Sequence, residues 1–80
     1  MITVTVKLYG TLPRQIPGYD SQAGIAMQVE EGSTFEDLIG ILHLPPMEAR
    51  VIIVGGVSMR ASDTVSKGEE IGFFLPMAGG

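Results

Sequence analysis

The group that could do chemistry in this sequence is the carboxylate after its last two residues, Gly79 and Gly80, although it is inert at neutral pH until it is activated. Glycine has no Cβ, so a run of glycines can thread a narrow channel and adopt backbone angles closed to other residues. Such a tail can carry a terminal carboxylate into the active site of another protein. Activated as an acyl-adenylate, the carboxylate gives a thiocarboxylate with a sulfur nucleophile and an isopeptide with a lysine amine. A frayed chain end without function is the alternative.

The other residue types that usually do chemistry are scarce or poorly placed. The sequence has no cysteine, and its one histidine, His43, cannot build a zinc site alone and is predicted in the last turn of a helix. Neighbouring strand residues point to opposite faces, so neither Glu30-Glu31 nor Glu69-Glu70 forms an acid/base pair or a metal site. No Lys-Ser/Thr follows Gly55-Gly56, which excludes a phosphate loop.

Charge bears on the class of partner. The net charge is −4, and the five Lys and Arg residues are scattered singly, which argues against nucleic acid as a partner. An acidic domain is attracted to a basic protein surface, although acidity also serves solubility alone. No basic leader or long apolar segment is present, so we expect no membrane partner and a cytoplasmic location.

The first half of the sequence predicts two strands joined by a long loop. Apolar residues at positions 2, 4, 6 and 8 alternate with polar or aromatic ones, as in a strand with one buried face. Prolines and glycines interrupt residues 10–24, which predicts a loop with a helical turn near 12–16. Alternation resumes over residues 25–29, so the two strands are expected to form a hairpin.

One helix is predicted after the second strand. Its capping box is formed either by Ser33 with Glu36 or by Thr34 with Asp37. A pair of prolines ends it by about His43. Helical spacing then gives one apolar stripe, which a sheet must cover: Phe35, Leu38, Ile39 and Leu42.

The second half predicts three more strands and a tail. The Val-Ile-Ile-Val run within residues 50–54 predicts a strand buried on both faces. A Gly-Gly turn leads to a short strand over 57–60. The last strand spans 70–75 and ends at Pro76, which cannot donate to a sheet ladder. This order permits an α+β fold, a ubiquitin-like β-grasp: a mixed sheet of about five strands with one main helix on one face.

Two segments resemble the MoaD/ThiS family of sulfur-carrier proteins. Residues 30–39 are similar to that family's glutamate-glycine-x-threonine sequence at the start of its helix. Residues 67–80 are similar to its ending, which is a glycine, two acids, an apolar strand, a proline and Ala-Gly-Gly. The ending is closest to Pro-Pro-Val-Ala-Gly-Gly of the molybdopterin synthase small subunit. Leu75 in place of the first proline and Gly55 in place of a common asparagine depart from the pattern.

The resemblance implies a single β-grasp domain over residues 1–80, with 76–80 as a flexible tail. It implies a sulfur carrier, most closely one of molybdopterin (molybdenum or tungsten cofactor) biosynthesis. An ATP-using adenylyltransferase of the MoeB/ThiF type would adenylate the Gly80 carboxylate, and a cysteine persulfide would supply the sulfur. A client such as the molybdopterin synthase large subunit would receive it. The chain would bind no cofactor or metal and would be a carried substrate, not an enzyme.

The resemblance also implies which residues meet a partner. Phe73 or Phe74, whichever faces outward, anchors it, and the tail enters the partner's channel. The implied partner-binding residues are Phe73, Phe74, Leu75, Pro76, Met77, Ala78 and Gly79, with Gly80 as the reactive residue.

Three functions stay open at this point. A carrier for thiazole synthesis or another sulfur-transfer pathway shares this ending. A ubiquitin-like modifier conjugated to lysines through Gly80 uses the same acyl-adenylate, so the sequence does not separate it from a sulfur carrier. A β-grasp binding module with an incidental tail is the third.

Overall fold

A computed structural model describes residues 1–76 of the chain. Within them a five-stranded mixed sheet has the order β2-β1-β5-β3-β4. The elements are β1 (Ile2–Leu8), a 3₁₀ turn (Leu12–Gln15), β2 (Ile25–Val29), α1 (Phe35–Ile41), β3 (Val51–Val54), β4 (Val57–Met59) and β5 (Glu70–Phe74). The first and last strands are neighbours in the middle of the sheet and run parallel. This arrangement confirms the predicted β-grasp fold.

The core lies between α1 and one face of the sheet, here called the inner face. Alternation along β1 puts its even-numbered residues on this face, where Val6 pairs with Ile71 and Leu8 with Phe73. The stripe of α1 covers them with Phe35, Leu38 and Ile39, all buried. Burial of each large apolar side chain contributes about 1.5–3 kcal/mol, so this layer dominates the stability of a chain of 80 residues.

The capping box at the start of α1 is the Thr34–Asp37 pair. The Asp37 N–H donates to Thr34 Oγ1 over 3.2 Å, and the Thr34 N–H donates to Asp37 Oδ2 over 2.9 Å. Both bonds satisfy N–H groups that the helix cannot. The Glu36 N–H donates to the Ala61 carbonyl over 2.9 Å and so ties the helix to the segment after β4.

The end of α1 differs from the prediction. The helix stops at Ile41, and His43, predicted in its last turn, lies beyond it with a φ of 56°. The His43 N–H donates to the Gly40 carbonyl over 3.2 Å, and the Leu44 N–H donates to the Ile39 carbonyl over 3.0 Å. This pair of bonds is a Schellman motif, which requires a left-handed residue after the helix.

Sequence reasoning was also wrong about the burial of β3. Only Ile52 of this strand is buried, and Val51, Ile53 and Val54 are half-buried. For Val51 and Ile53 the physical reason is that they lie on the opposite, outer face, which α1 does not cover. Val54 lies on the inner face, and it packs only partly against the core as the last residue of the strand. β4 and β5 each end one residue earlier than predicted, at Met59 and Phe74.

The left-handed backbone at position 43 predicts that His43→Gly raises the free energy of unfolding by roughly 0.5–1 kcal/mol. A left-handed conformation costs an L-residue about 1–2 kcal/mol, and glycine avoids this cost at some loss of chain entropy. Urea unfolding measures the difference. His43→Ala is the matched control and should not stabilise the fold, because alanine keeps the strain. Equal stabilisation by both variants would contradict the assignment.

Candidate functional site

The end of β5, where the predicted tail begins, is held from both sides. Phe73 pairs with Leu8 of β1 and with Ile52 of β3. Beyond the end of β1, the Tyr9 N–H still donates to the Phe73 carbonyl over 3.1 Å. Phe74 is the last paired residue and lies opposite Val51. The chain therefore leaves the sheet from its middle strand, at a position that two neighbouring strands define.

Phe73 cannot anchor a partner. Its side chain is 0% exposed and belongs to the core beneath α1. The alternation of β5 dictates this placement, because Phe73 shares the inner face with its partners Leu8 and Ile52. Of the two phenylalanines that were predicted as alternatives, Phe74 is the one on the outer face.

Phe74 is half-buried and stacks on Tyr9. The ring centroids are 4.3 Å apart and the planes differ by 2°. The two rings lie over Gly72: a Cβ at position 72 would stand 2.9 Å from Phe74 Cε1 and 3.3 Å from Tyr9 Cε2. Because Gly72 has no side chain, β5 has room for the aromatic pair, which contributes about 0.5–1.5 kcal/mol to the stability beyond the burial of its rings.

Leu75 and Pro76 continue the chain beyond the sheet. Leu75 is half-buried against the core, and a Cβ at position 10 would stand 2.8 Å from its Cδ1. Gly10 also has a φ of 67°, so both its backbone and its contact with Leu75 call for glycine. Pro76 is exposed. The other predicted site residues, Met77, Ala78, Gly79 and Gly80, lie outside the described residues.

The loop of residues 10–24 is fixed beside this site. The Leu8 N–H donates to the Tyr19 hydroxyl oxygen over 2.8 Å. The pairing of β1 with β2 ends where Val6 lies opposite Ile25. The bond to Tyr19 therefore satisfies an amide of β1 that lies beyond this pairing. Tyr19 thus holds the loop at the end of the sheet where β5 also ends.

Four side chains form an apolar surface on the outer face, here called the outer patch. Val51, Ile53 and Phe74 are half-buried, and Tyr9 is 42% exposed. The register brings them together, because Val51 pairs with Phe74 and Ile53 with Gly72. Contiguous apolar surface that stays accessible in the folded domain makes the outer patch a candidate contact with another protein.

Sequence reasoning missed three members of the outer patch. The period-2 pattern of β1 puts Tyr9 on the same face as Lys7, and this signal was available. The membership of Val51 and Ile53 followed from the register of β3 against β5, which the sequence does not state.

An ion pair borders the patch, with Lys7 Nζ 3.2 Å from Glu70 Oε1. At the surface such a pair contributes at most about 1 kcal/mol.

Other kinds of site find little support in residues 1–76. No three His, Cys, Asp or Glu side chains of this range are grouped so that they could hold a metal ion. Neither is any helix in it long and apolar enough to span a membrane.

The close contact at Gly72 predicts that Gly72→Ala lowers the free energy of unfolding by about 1–3 kcal/mol, because the new methyl group displaces Phe74. Gly40→Ala is the matched control. Gly40 also lacks a positive φ, but a Cβ there meets nothing within 4 Å. Gly40 is the last residue but one of α1, and within a helix that change should instead stabilise by up to about 1 kcal/mol. Urea unfolding of both variants checks the difference, and equal effects would contradict the packing at Gly72.

Comparison with known proteins identifies the family. The sequence model of the family described as Mut7-C ubiquitin matches residues 1–78. No curated protein matches the sequence.

Two solved structures resemble the fold. One is a Pyrococcus furiosus protein with the provisional name molybdopterin converting factor, subunit 1. It is 22% identical with a TM-score of 0.71, and the match covers 96% of this chain and 100% of that one. The other is SAMP1 from Haloferax volcanii, 16% identical with a TM-score of 0.68, over 98% of this chain and 99% of that one.

These similarities confirm the predicted resemblance to small ubiquitin-like carriers and the β-grasp fold. At such identities the two structures speak for the fold alone. The match to the family model, in contrast, covers nearly the whole chain. The chain belongs to the Mut7-C ubiquitin family.

Proposed function

We propose that the protein is a sulfur carrier whose Gly80 carboxylate becomes a thiocarboxylate, in the synthesis of a molybdopterin-type cofactor. The observation that carries the proposal is the end of β5. A middle strand is fixed on both sides up to Phe74 and is followed by Leu75, Pro76 and a sequence that ends in Gly-Gly. The likeness to a molybdopterin converting factor subunit over that protein's full length supports the same function.

The proposed chemistry proceeds in three steps, all in partner proteins. A carboxylate oxygen of Gly80 attacks the α-phosphorus of ATP, and pyrophosphate leaves. The terminal sulfur of a cysteine persulfide attacks the acyl carbon, and AMP leaves, which gives an acyl disulfide. A thiol then attacks the donor's sulfur in this disulfide. The thiocarboxylate is released, and the thiol and the donor cysteine become a disulfide.

In this scheme the chain contributes position and not catalysis. The core beneath β5 and the contacts of Phe74 and Leu75 fix where the tail begins. An enzyme that docks on the domain therefore finds the first tail residue at a constant distance from its own surface. Holding reactants in this way lowers the entropic part of the barrier. Both glycines can then extend into a channel too narrow for side chains.

A second candidate is a protein-binding module without transfer chemistry. The family's name associates a ubiquitin-like domain with Mut7-C, and the outer patch would serve such binding equally well. Lysine conjugation through Gly80 uses the same acyl-adenylate and differs from sulfur transfer only in the nucleophile.

Removal of Gly79 and Gly80 separates the carrier from the binding module. In a reaction with the activating enzyme, ATP and a persulfide donor, we expect the truncated protein to release no pyrophosphate and to form no thiocarboxylate. Its free energy of unfolding should stay within about 0.5 kcal/mol of the full chain, because β5 ends at Phe74. Undiminished pyrophosphate release by the truncated protein would sink the carrier proposal.

The outer patch predicts where the activating enzyme binds. Ile53→Asp should weaken binding by about tenfold or more, because it places a charge in an apolar contact. Gln28→Asp is the matched control, since Gln28 is exposed and lies in the edge strand β2, three strands away from Ile53 in the sheet. Isothermal titration calorimetry measures both affinities, with circular dichroism to verify the fold. Similar losses from the two variants would exclude the outer patch as the contact.

A further inference from the structure

Just beyond the sheet, the side chain of Leu75 lies against Gly10 in the loop after β1. A Cβ at position 10 would stand 2.8 Å from Leu75 Cδ1, 3.2 Å from its Cγ and 3.8 Å from its Cβ. The leucine therefore occupies the place that any side chain at position 10 would need. This contact between Leu75 and Gly10 is here called the Leu75 seat.

The backbone of Leu75 does not provide a comparable hold. The Phe73 carbonyl faces β1, where it accepts from the Tyr9 N–H over 3.1 Å. In a parallel pair the next bond would join the Leu75 N–H to the Tyr9 carbonyl. That carbonyl accepts instead from the Leu12 N–H over 3.3 Å, and no backbone carbonyl within residues 1–76 accepts from the Leu75 N–H. The Leu75 seat therefore holds the chain where the backbone ladder has ended.

Gly10 is itself fixed to the domain on both sides. Before it, Tyr9 is bonded to the Phe73 carbonyl and stacked on Phe74. After it, Leu12 is buried in the core. Gly10 makes the turn between these two residues with a φ of 67°, which glycine adopts without strain. The position of the Leu75 seat is thus set by the core and not by the tail.

We propose that Gly10 sets the point from which residues 77–80 begin, and that it acts on the adenylation of Gly80 through Leu75, as a positioning residue. The inference rests on the proposed function. Only residues 76–79 separate Leu75 from Gly80, so a shift of Leu75 moves the start of the tail relative to an enzyme docked on the domain. A misplacement of about 1 Å can cost on the order of 100-fold in rate.

Two glycines of the same loop provide a matched pair of variants. Gly10→Ala puts a methyl group into the Leu75 seat, so the leucine side chain must leave it. Gly18→Ala is the control: Gly18 is also exposed and has a φ of 77°, but a Cβ there meets nothing within 4 Å. Both changes strain the backbone similarly, because both put an L-residue into a left-handed conformation. Circular dichroism and urea unfolding verify that each variant folds.

The kinetic readout is ATP–pyrophosphate exchange by the activating enzyme, with kcat separated from KM for the carrier. We expect Gly10→Ala to lower kcat by about tenfold or more and to keep KM within about twofold, because docking is unchanged while the carboxylate is misplaced. Gly18→Ala should keep both constants within about twofold, because it displaces no neighbour. Equal kcat values for the two variants would overturn the role of Gly10 and leave the carrier proposal standing. Failure of the unaltered protein to support exchange would contradict the carrier proposal itself.

A double-mutant cycle separates positioning from a general loss of stability. Leu75→Ala takes the side chain out of the seat and should itself lower kcat. Once that side chain is absent, Gly10→Ala should lower kcat by less than about twofold more, because the two residues act as a unit. An equal loss from Gly10→Ala with and without the leucine would overturn the proposal. A Leu75→Ala variant that raises KM alone would also overturn it, since Leu75 would then be a docking residue.

The seat can also be tested in the unaltered protein without a partner. We expect a nuclear Overhauser effect between the methyl protons of Leu75 and the α protons of Gly10, because the two residues are in contact. In Gly10→Ala the cross-peaks from these methyl groups to residue 10 should weaken or disappear, whereas Gly18→Ala should keep them. Their absence from the unaltered protein would overturn the Leu75 seat.

Discussion

The parallel pairing of β5 with β1 puts the last strand in the middle of the sheet, and the rest of the structure depends on it. A middle strand is hydrogen-bonded on both edges and, on its inner face, buries Ile71 and Phe73 beneath α1. It cannot move without opening the core. The point at which the chain leaves the sheet is therefore as fixed as the core itself.

Two consequences of this pairing appear on opposite faces of the sheet. On the outer face, Gly72 makes room for the Tyr9–Phe74 stack, around which the outer patch forms. On the inner face, Phe73 lies between its partners Leu8 and Ile52 and is buried in the core beneath α1. The capping box begins α1 at Phe35, and the Schellman motif ends it at Ile41. A single loop then connects the helix to β3.

The sequence was sufficient for much of the fold, because its signals are local. Alternation in β1, the apolar stripe of α1 and Pro76 after the last strand each specify one element without reference to another. The same locality explains the errors. Whether β3 is covered on one face or two depends on the layer count, and the left-handed His43 depends on a bond from Leu44 to Ile39 that no spacing rule demanded.

The site divides in the same way. Residue types alone were enough to predict the tail as the reactive segment. They did not show which of Phe73 and Phe74 faces outward, because either of two consecutive aromatic residues can lie on the outer face. The role of Gly72 and the membership of Val51 and Ile53 in the outer patch could not be predicted. Their roles arise from neighbours that are close in space through the register of β1, β3 and β5 and are distant in sequence.

Intact mass spectrometry of the protein isolated from its native cell shows directly whether Gly80 carries sulfur. For a sulfur carrier we expect a species heavier than the mass of the sequence by the difference between one sulfur and one oxygen atom. This species should revert to the sequence mass after mild hydrolysis. A population found only at the sequence mass, or only joined to lysines of larger proteins, would contradict a sulfur-carrier function.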